Sequence, residues 1–504
     1  MKKIFAIISL ILTLALIIGG IVIALVLRES QAPEDTSAAE STASYPFNGT
    51  FISFFELDPK LTDSYLKELK SLNINTVIVG QVRQKNPDCK KKNYQWMQNS
   101  PTYLDTFLQK AESNNIKVYM GLTSNVNVYC GSDFRVGESK TLIVKDYNYL
   151  MNYFKTNLKY FGTIDGWYIP DEPQLAWDRW DEANIYYKEL VNSIKKYSSK
   201  PIIISPYLVG AQSISPTAIA NNALNFIKAS GIDIFIIQDS EGGDCKLQGG
   251  KYTIKQYFTN ISTKIGKEHL WANNELFNCG YTNGWDGGGY QPTSITRLNS
   301  QIRMTNKTLV SGRVNWVNQF HMTKVANNKM IGSDRLFDSY VAQYGGGSLK
   351  MLKPTVYTWK TQPSRKYPDT NMAEMFDSKL GNVNNSGDSA WTGIEGKAEM
   401  VMNFGTSKNI KWVSFHFMSL KTPSISFPET LSLSCSQNGS SWISLGTWKR
   451  DLKIYGQTVS EKTGPSEYDF SNTTPLNTKC KYVKANLSNS DWTFISEVEV
   501  VGSN

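Results

Sequence analysis

The chain has 504 residues, and 53 Lys and Arg against 44 Asp and Glu leave a formal net charge of +9. That length holds two or three domains with their own cores, and a 40% hydrophobic content excludes both a disulfide mini-scaffold and a disordered tail. The basic residues are scattered, with Lys90–Lys92 the longest run, so no nucleic-acid footprint is indicated, and three histidines (His269, His321, His416) are too few for a multi-histidine metal centre. The absence of a phosphate-binding GxxxxGK loop, of GxSxG and of HExxH lowers the P-loop, serine-hydrolase and zincin classes together.

Met1-Lys2-Lys3 precedes an uncharged apolar run from Ile4 to Leu27 that ends at Arg28-Glu29. As a helix this run spans roughly 36 Å, more than the ~30 Å hydrocarbon core. Arg28-Glu29-Ser30 is a poor cleavage site, so residues 1–29 are expected to be an uncleaved signal anchor, with a cleaved signal peptide as the alternative. The two lysines keep the N-terminus inside, which places the rest of the chain on the extracellular or luminal side, or in the medium if the segment is cleaved. Residues 30–44 have linker composition. The six cysteines fall as the couples Cys89/Cys130, Cys245/Cys279 and Cys435/Cys480, which are disulfide candidates in an exported protein, although six cysteines allow 15 connectivities.

From residue 45 to 350 one unit recurs eight times: a short apolar run, a loop, then a stretch with helical periodicity. The strand candidates are Phe51–Phe55, Thr76–Val79, Val118–Leu122, Gly166–Ile169, Ile202–Ile204, Ile232–Ile237, Leu270–Ala272 and Val314–Val317. Helices are expected over 61–72, 103–114, 146–161, 182–197, 218–229, 254–265, 295–310 and 333–344. Eight such repeats over ~300 residues predict an α/β chain with a (β/α)8 TIM barrel; a doubly wound sheet is the alternative, but no GxGxxG follows the first strand. After Gly345-Gly346-Gly347 the helical period disappears. Residues 351–504 read as an all-β jelly-roll sandwich.

Barrel chemistry sits at the C-terminal ends of the strands. The residues closing the eight runs are Glu56, Gln81, Thr123, Asp171 with Glu172, Tyr207, Gln238 with Asp239, Glu275 and Gln319. Glu172 ends the fourth strand and Glu275 the seventh, so their carboxyls are expected to face one another over the mouth. Retaining glycoside hydrolysis needs such a pair about 5–5.5 Å apart, one an acid/base and one a nucleophile. Asp171, Trp167, Tyr207, Gln238, Asp239, Trp271, Asn274 and Trp316 are candidate substrate-binding residues around the same ends. Trp177 and Trp285 cluster nearby in sequence, Glu241 is a weaker pocket candidate, and His321 follows the eighth strand.

The segments Gly166–Pro173 (GWYIPDEP), Ile236–Gly242 (IIQDSEG) and Leu270–Phe277 (LWANNELF) resemble the DUF4434 family of glycoside-hydrolase-like TIM barrels, over most of residues 47–345. A looser likeness to the retaining glycosidases with glutamates on strands 4 and 7 implies Glu172 as acid/base and Glu275 as nucleophile. This chain departs from their usual Asn-Glu by carrying Asp171-Glu172. The C-terminal stretches Trp391–Gly393, Met402–Gly405, Ser436–Trp442, Cys480–Ala485 and Ile495–Val500 resemble a discoidin (F5/8 type C), galactose-binding-like module, which implies a glycan-binding jelly roll.

The expected function is a retaining glycoside hydrolase of extracellular or cell-surface polysaccharide. A non-catalytic surface lectin or adhesin is the alternative, and an inactive wall scaffold a third. The expected partners are a glycan and, through the N-terminal helix, a membrane. No organic cofactor and no catalytic metal are implied, and a structural calcium in the C-terminal module would have no readable ligand set.

Overall fold

The computed structural model describes residues 44–504 apart from 86–93, 98–100, 125–136, 177–179, 209–212, 243–249, 279–290, 421–423, 451–452, 455–456 and 459–464. The expected anchor 1–29, nearly all of the linker 30–44, Cys89, Cys130, Cys245, Cys279, Trp177 and Trp285 lie outside the described residues. Among the described residues no helix is long and apolar enough to cross a membrane.

Eight parallel strands close into a barrel: β1 (Gly49–Ile52), β2 (Thr76–Val79), β3 (Lys117–Gly121), β4 (Ile164–Ile169), β5 (Ile202–Ile204), β6 (Ile234–Gln238), β7 (Leu270–Glu275) and β8 (Gly312–Trp316). The intervening helices are α1 (Thr62–Ser71), α2 (Leu104–Ser113), α3 (Gly137–Asn157), α4 (Trp180–Lys195), α5 (Pro216–Ser230), α6 (Ile254–Ile265), α7 (Ile295–Met304) and α8 (Ser333–Tyr344). Their starts follow from local chemistry. Ser215 accepts the Ala218 N–H with Pro216 at the first helical position, Thr253 and Gln256 form a capping box, and Ser294 accepts the Arg297 N–H. Several expected boundaries move, most of all in α3, expected over 146–161 and found at Gly137–Asn157, and in β7, which runs on from Ala272 to Glu275. The first strand stops at Ile52 because Gln319 accepts the Ser53 N–H and Phe54 turns into the helical layer. The helix expected over 295–310 ends at Met304, where the Thr305 hydroxyl turns back onto the Gln301 carbonyl.

The strands are apolar on both faces, yet their residues still sort by parity. Val77, Val79, Val118, Met120, Trp167, Ile169, Ile202, Ile204, Phe235, Ile237, Leu270 and Ala272 pack outward against the helices. Phe51, Ile78, Tyr119, Tyr168, Ile203, Ile236 and Val314 fill the barrel interior. This alternation decides which residues above them face the mouth.

The C-terminal region is all β. Apart from a separate two-stranded pairing of Lys453–Ile454 with Gln457–Thr458, its described strands are β9 (Lys350–Met351), β10 (Val356–Trp359), β11 (Thr392–Glu395), β12 (Ala398–Ser419), β13 (Thr430–Ser436), β14 (Ile443–Lys449), β15 (Ser466–Ser471), β16 (Thr478–Ser488) and β17 (Trp492–Ser503). All nine join one hydrogen-bonded sheet, because the 22-residue β12 belongs to two neighbourhoods. Its first half pairs with β10 and β16, and its second half with β15 and β17 across register shifts. A disulfide joins Cys435 on β13 to Cys480 on β16.

The barrel and the β region belong to one compact unit, Ala43–Asn504. Ala342 of α8 packs with Trp412 and Val501, and the Trp412 indole N–H donates to Asp338 at 2.7 Å. Beside this apolar contact lies a buried ionic cluster. Glu467 and Asp469 alternate on β15, as do Glu497 and Glu499 on β17, so all four share one face with His416 of β12 between them. Arg297 of α7 pairs with Glu467, and Arg335 of α8 lies 3.6 Å from Glu499 and 3.9 Å from Asp469. Within the sheet, His416 Nδ1 is 2.9 Å from Asp469. The charges balance if His416 is protonated and Glu497 neutral, which fits both shifts: acid neighbours lift the imidazole to about 10 despite burial, and burial with Glu499 and Asp377 nearby lifts Glu497 to about 10.

Candidate active site

The C-terminal ends of β4 to β8 form the mouth of the barrel. Parity carries Glu172 inward above Tyr168, Gln238 above Ile236, and Asn273 and Glu275 above Trp271. Two contacts that skip a strand support this placement. Gln238 Nε2 on β6 donates to Glu172 Oε1 beyond β4 at 2.9 Å, passing over β5. Asn273 Nδ2 on β7 lies 3.5 Å from the Ser205 hydroxyl after β5, passing over β6.

The two carboxyls meet different surroundings. Glu172 is exposed to solvent. Desolvation by the surrounding protein nevertheless pushes its pKa up to about 6, with Gln238 opposing and the like charge of Asp171 assisting. Glu275 is almost fully buried, and its Oε2 accepts the Gly242 N–H at 2.6 Å. Its own N–H donates to Asp239 Oδ1 at 3.3 Å. A single segment, Gln238–Gly242, therefore touches both carboxyls, Glu172 through Gln238 and Glu275 through Gly242. Gly242 is required there: a Cβ would stand 2.4 Å from the Phe277 carbonyl oxygen.

The other candidates divide by face. Tyr207 bridges Gln174 and Gln238, is half-buried, and its phenol is raised first by burial and then by the charge of Glu172. Trp316 stands beside Glu275 in register, half-buried, its ring 4.9 Å from Phe51. These two, with Gln238, join Glu172 and Glu275 at the mouth.

Four candidates turn away from it. The Trp167 ring is stacked on Phe154 in the helical layer, 6.0 Å between centroids. Asp171 accepts the Tyr186 hydroxyl of α4 at 3.0 Å, also outside the barrel. Asp239 accepts from Asn274 at 2.8 Å and from Gln301 of α7 at 2.9 Å, so these residues brace the outer side of β6 and β7. The remaining candidate, Trp271, points inward but from the start of β7, where its indole packs edge-on to Tyr119 below the mouth. His321 is buried against Phe277.

Asn273, Ser205, Gly242 and Arg297 were not singled out from sequence. The signal for Asn273 was present: once Glu275 faces the mouth, the residue two before it shares that face and Asn274 does not. Its Oδ1 is buried without a hydrogen-bond partner among the described residues. Among the described residues no cluster of three or more His, Cys, Asp or Glu is placed to hold a metal ion.

The family profile of a domain of unknown function, DUF4434, matches residues 47–325, more than half of the chain. The chain belongs to the DUF4434 family. No curated protein matches it. The structure of this DUF4434 protein is similar to a candidate alpha-L-fucosidase from Bacteroides thetaiotaomicron (18% identity, 63% of this chain and 99% of that one, TM-score 0.48). It is also similar to a family 39 glycoside hydrolase from Bacteroides cellulosilyticus (10% identity, 90% and 82% covered, TM-score 0.39). The third likeness is to CBM32-3 of a family 31 glycoside hydrolase from Clostridium perfringens (9% identity, 31% and 92% covered, TM-score 0.19). With TM-scores below 0.5, these likenesses do not bear on the chemistry of the site.

Proposed function

We propose that the chain is a retaining glycoside hydrolase acting on extracellular or cell-surface polysaccharide. The observation that carries this is the pair of inward glutamates in unlike surroundings at one barrel mouth, each fixed by the Gln238–Gly242 segment. Glu172, with its pKa raised to about 6, keeps its proton into mildly acidic pH and serves as the acid. In the first step Glu275 attacks the anomeric carbon while the proton of Glu172 passes to the departing glycosidic oxygen. In the second, Glu172 takes a proton from water, whose oxygen displaces Glu275 and restores both groups.

Trp316 offers a flat apolar surface beside the nucleophile, and Tyr207 and Gln238 offer hydrogen bonds to sugar hydroxyls. Asp171 bonds Tyr186 instead, so the residue before the acid/base does not serve the substrate in this chain. The run Ile4–Leu27 is the proposed anchor or signal that places the enzyme outside the membrane, and the β region is a proposed discoidin-like glycan-binding module.

A reducing-end assay against a panel of polysaccharides, beside a Glu172→Gln/Glu275→Gln control, tests the proposal. Release by the native protein and not by the control supports it. Binding by both proteins without release from any polymer would make the barrel a glycan-binding site instead.

A further inference from the structure

Arg297 is nearly fully buried, and its guanidinium reaches both the β region and the barrel, with the Glu241 carboxylate 3.9 Å away as a further, longer contact. Toward the β region it binds the Glu467 carboxylate; toward the barrel it donates to the Glu241 carbonyl oxygen. That carbonyl belongs to the same peptide unit as the Gly242 N–H, which donates to Glu275 Oε2 at 2.6 Å. A trans peptide holds its C=O and N–H in one plane and pointing in opposite directions, so a grip on the oxygen aims the hydrogen. A cation on the carbonyl also polarises the unit and strengthens the bond its N–H makes. The turn is held further by Asp239 Oδ1, which accepts the Glu241 and Glu275 N–H groups, and Ser240 takes a positive φ of 57°.

We propose that the Glu467–Arg297 pair positions the nucleophile through the Glu241–Gly242 peptide, which makes the β region a structural part of the active site. This rests on the assignment of Glu275 as nucleophile. Neither Glu467 nor Arg297 touches the reacting atoms; they are positioning residues. Arg297 is itself fixed by Ser294, which caps α7 and accepts the Arg297 N–H at 3.1 Å. Glu467 is anchored in β15 among Asp469 and His416.

The test compares Glu467→Gln with Trp412→Phe in the full chain. The second variant removes the hydrogen bond from Trp412 to Asp338, which crosses the same interface without reaching the turn. Two readouts are taken: steady-state kinetics, and hydrogen exchange resolved at the Gly242 amide. Glu467→Gln should lower kcat about 10- to 100-fold with KM little changed, and should speed exchange at Gly242 about tenfold. Trp412→Phe should alter neither. Unchanged exchange at Gly242 in folded Glu467→Gln, or equal acceleration in Trp412→Phe, would overturn the proposal. If Glu467→Gln does not fold, Glu467→Asp keeps the charge and withdraws it by one methylene. It should show the same changes to a smaller degree, and no change in it would also overturn the proposal. If the native protein cleaves no glycoside, the hydrolase assignment fails, and exchange at Gly242 still decides the coupling.

Discussion

The barrel mouth and the barrel-facing side of the β region both hold glutamates, and they give them different partners. At the interface Glu467, Asp469 and Glu499 meet Arg297, Arg335 and His416, so charge is compensated where water is absent. At the mouth, Glu172 and Glu275 are bound by neutral amides, those of Gln238 and Gly242. A nearby cation opposes the rise that burial causes, enough to hold Asp469 below the usual carboxylate range though not enough for Glu499, whereas a neutral amide leaves a carboxyl pKa free to rise. Glu172 shows the second case. The difference teaches that the partners of an acid cluster, cations or neutral amides, and not the presence of glutamates alone, set its electrostatics.

That contrast yields predictions of decreasing size. Glu275→Gln should cost at least about 10⁴-fold in kcat with little change in melting temperature, since the amide keeps the size of the side chain and an oxygen to accept the Gly242 N–H; a variant with native turnover would remove Glu275 from the chemistry. Arg335→Met should instead leave turnover per folded molecule unchanged and cost about 3–5 kcal/mol in a urea titration, because Asp469 and Glu499 lose their buried partner. A stability unaltered by that change would mean the cluster is not held by charge.

Parity is tested by a pair of tryptophans. Trp167→Ala should cost about 3–5 kcal/mol from its stack on Phe154 and leave KM alone. Trp316→Ala should raise KM about 10- to 30-fold at a smaller stability cost. The reverse assignment of the two effects would contradict an outward Trp167 on β4 and an inward Trp316 on β8.

The interface should also loosen in alkali. His416 is raised to about 10, so the stability it contributes is complete below its unfolded value of about 6.5 and is lost as the pH climbs to about 10. Glu497 is raised to about 10 as well, and its neutral form loses its advantage in the same direction, over about 4.5 to 10. The melting temperature should fall between pH 7 and 10, a fall that shrinks in His416→Gln. A flat profile would mean that neither group changes its proton affinity on folding.

The eight strands were legible because each is a short apolar run bounded by polar loops, and the carboxyls at the ends of β4 and β7 were legible because barrel chemistry gathers there. The side on which each neighbour falls was equally present in the sequence as parity: taking Glu172 and Glu275 as inward already puts Trp167, Asp171 and Asn274 outside. Tertiary pairing was not legible. Nothing near Arg297 in sequence points to Glu467, 170 residues away. The alternating acids Glu467/Asp469 and Glu497/Glu499 in otherwise apolar strands do mark a face that needs cations. The single nine-stranded sheet was likewise hidden, since it depends on β12 bending between two sets of partners.

The central claim is that Glu275 forms a covalent bond to the sugar. Once the released sugar is known, its 2-deoxy-2-fluoro glycoside with a good leaving group should slow breakdown of the intermediate and let it accumulate. Mass spectrometry of the digested protein should then find one fluoroglycosyl adduct, on Glu275. An adduct on another residue, or none from a protein that hydrolyses the parent glycoside, would contradict the account.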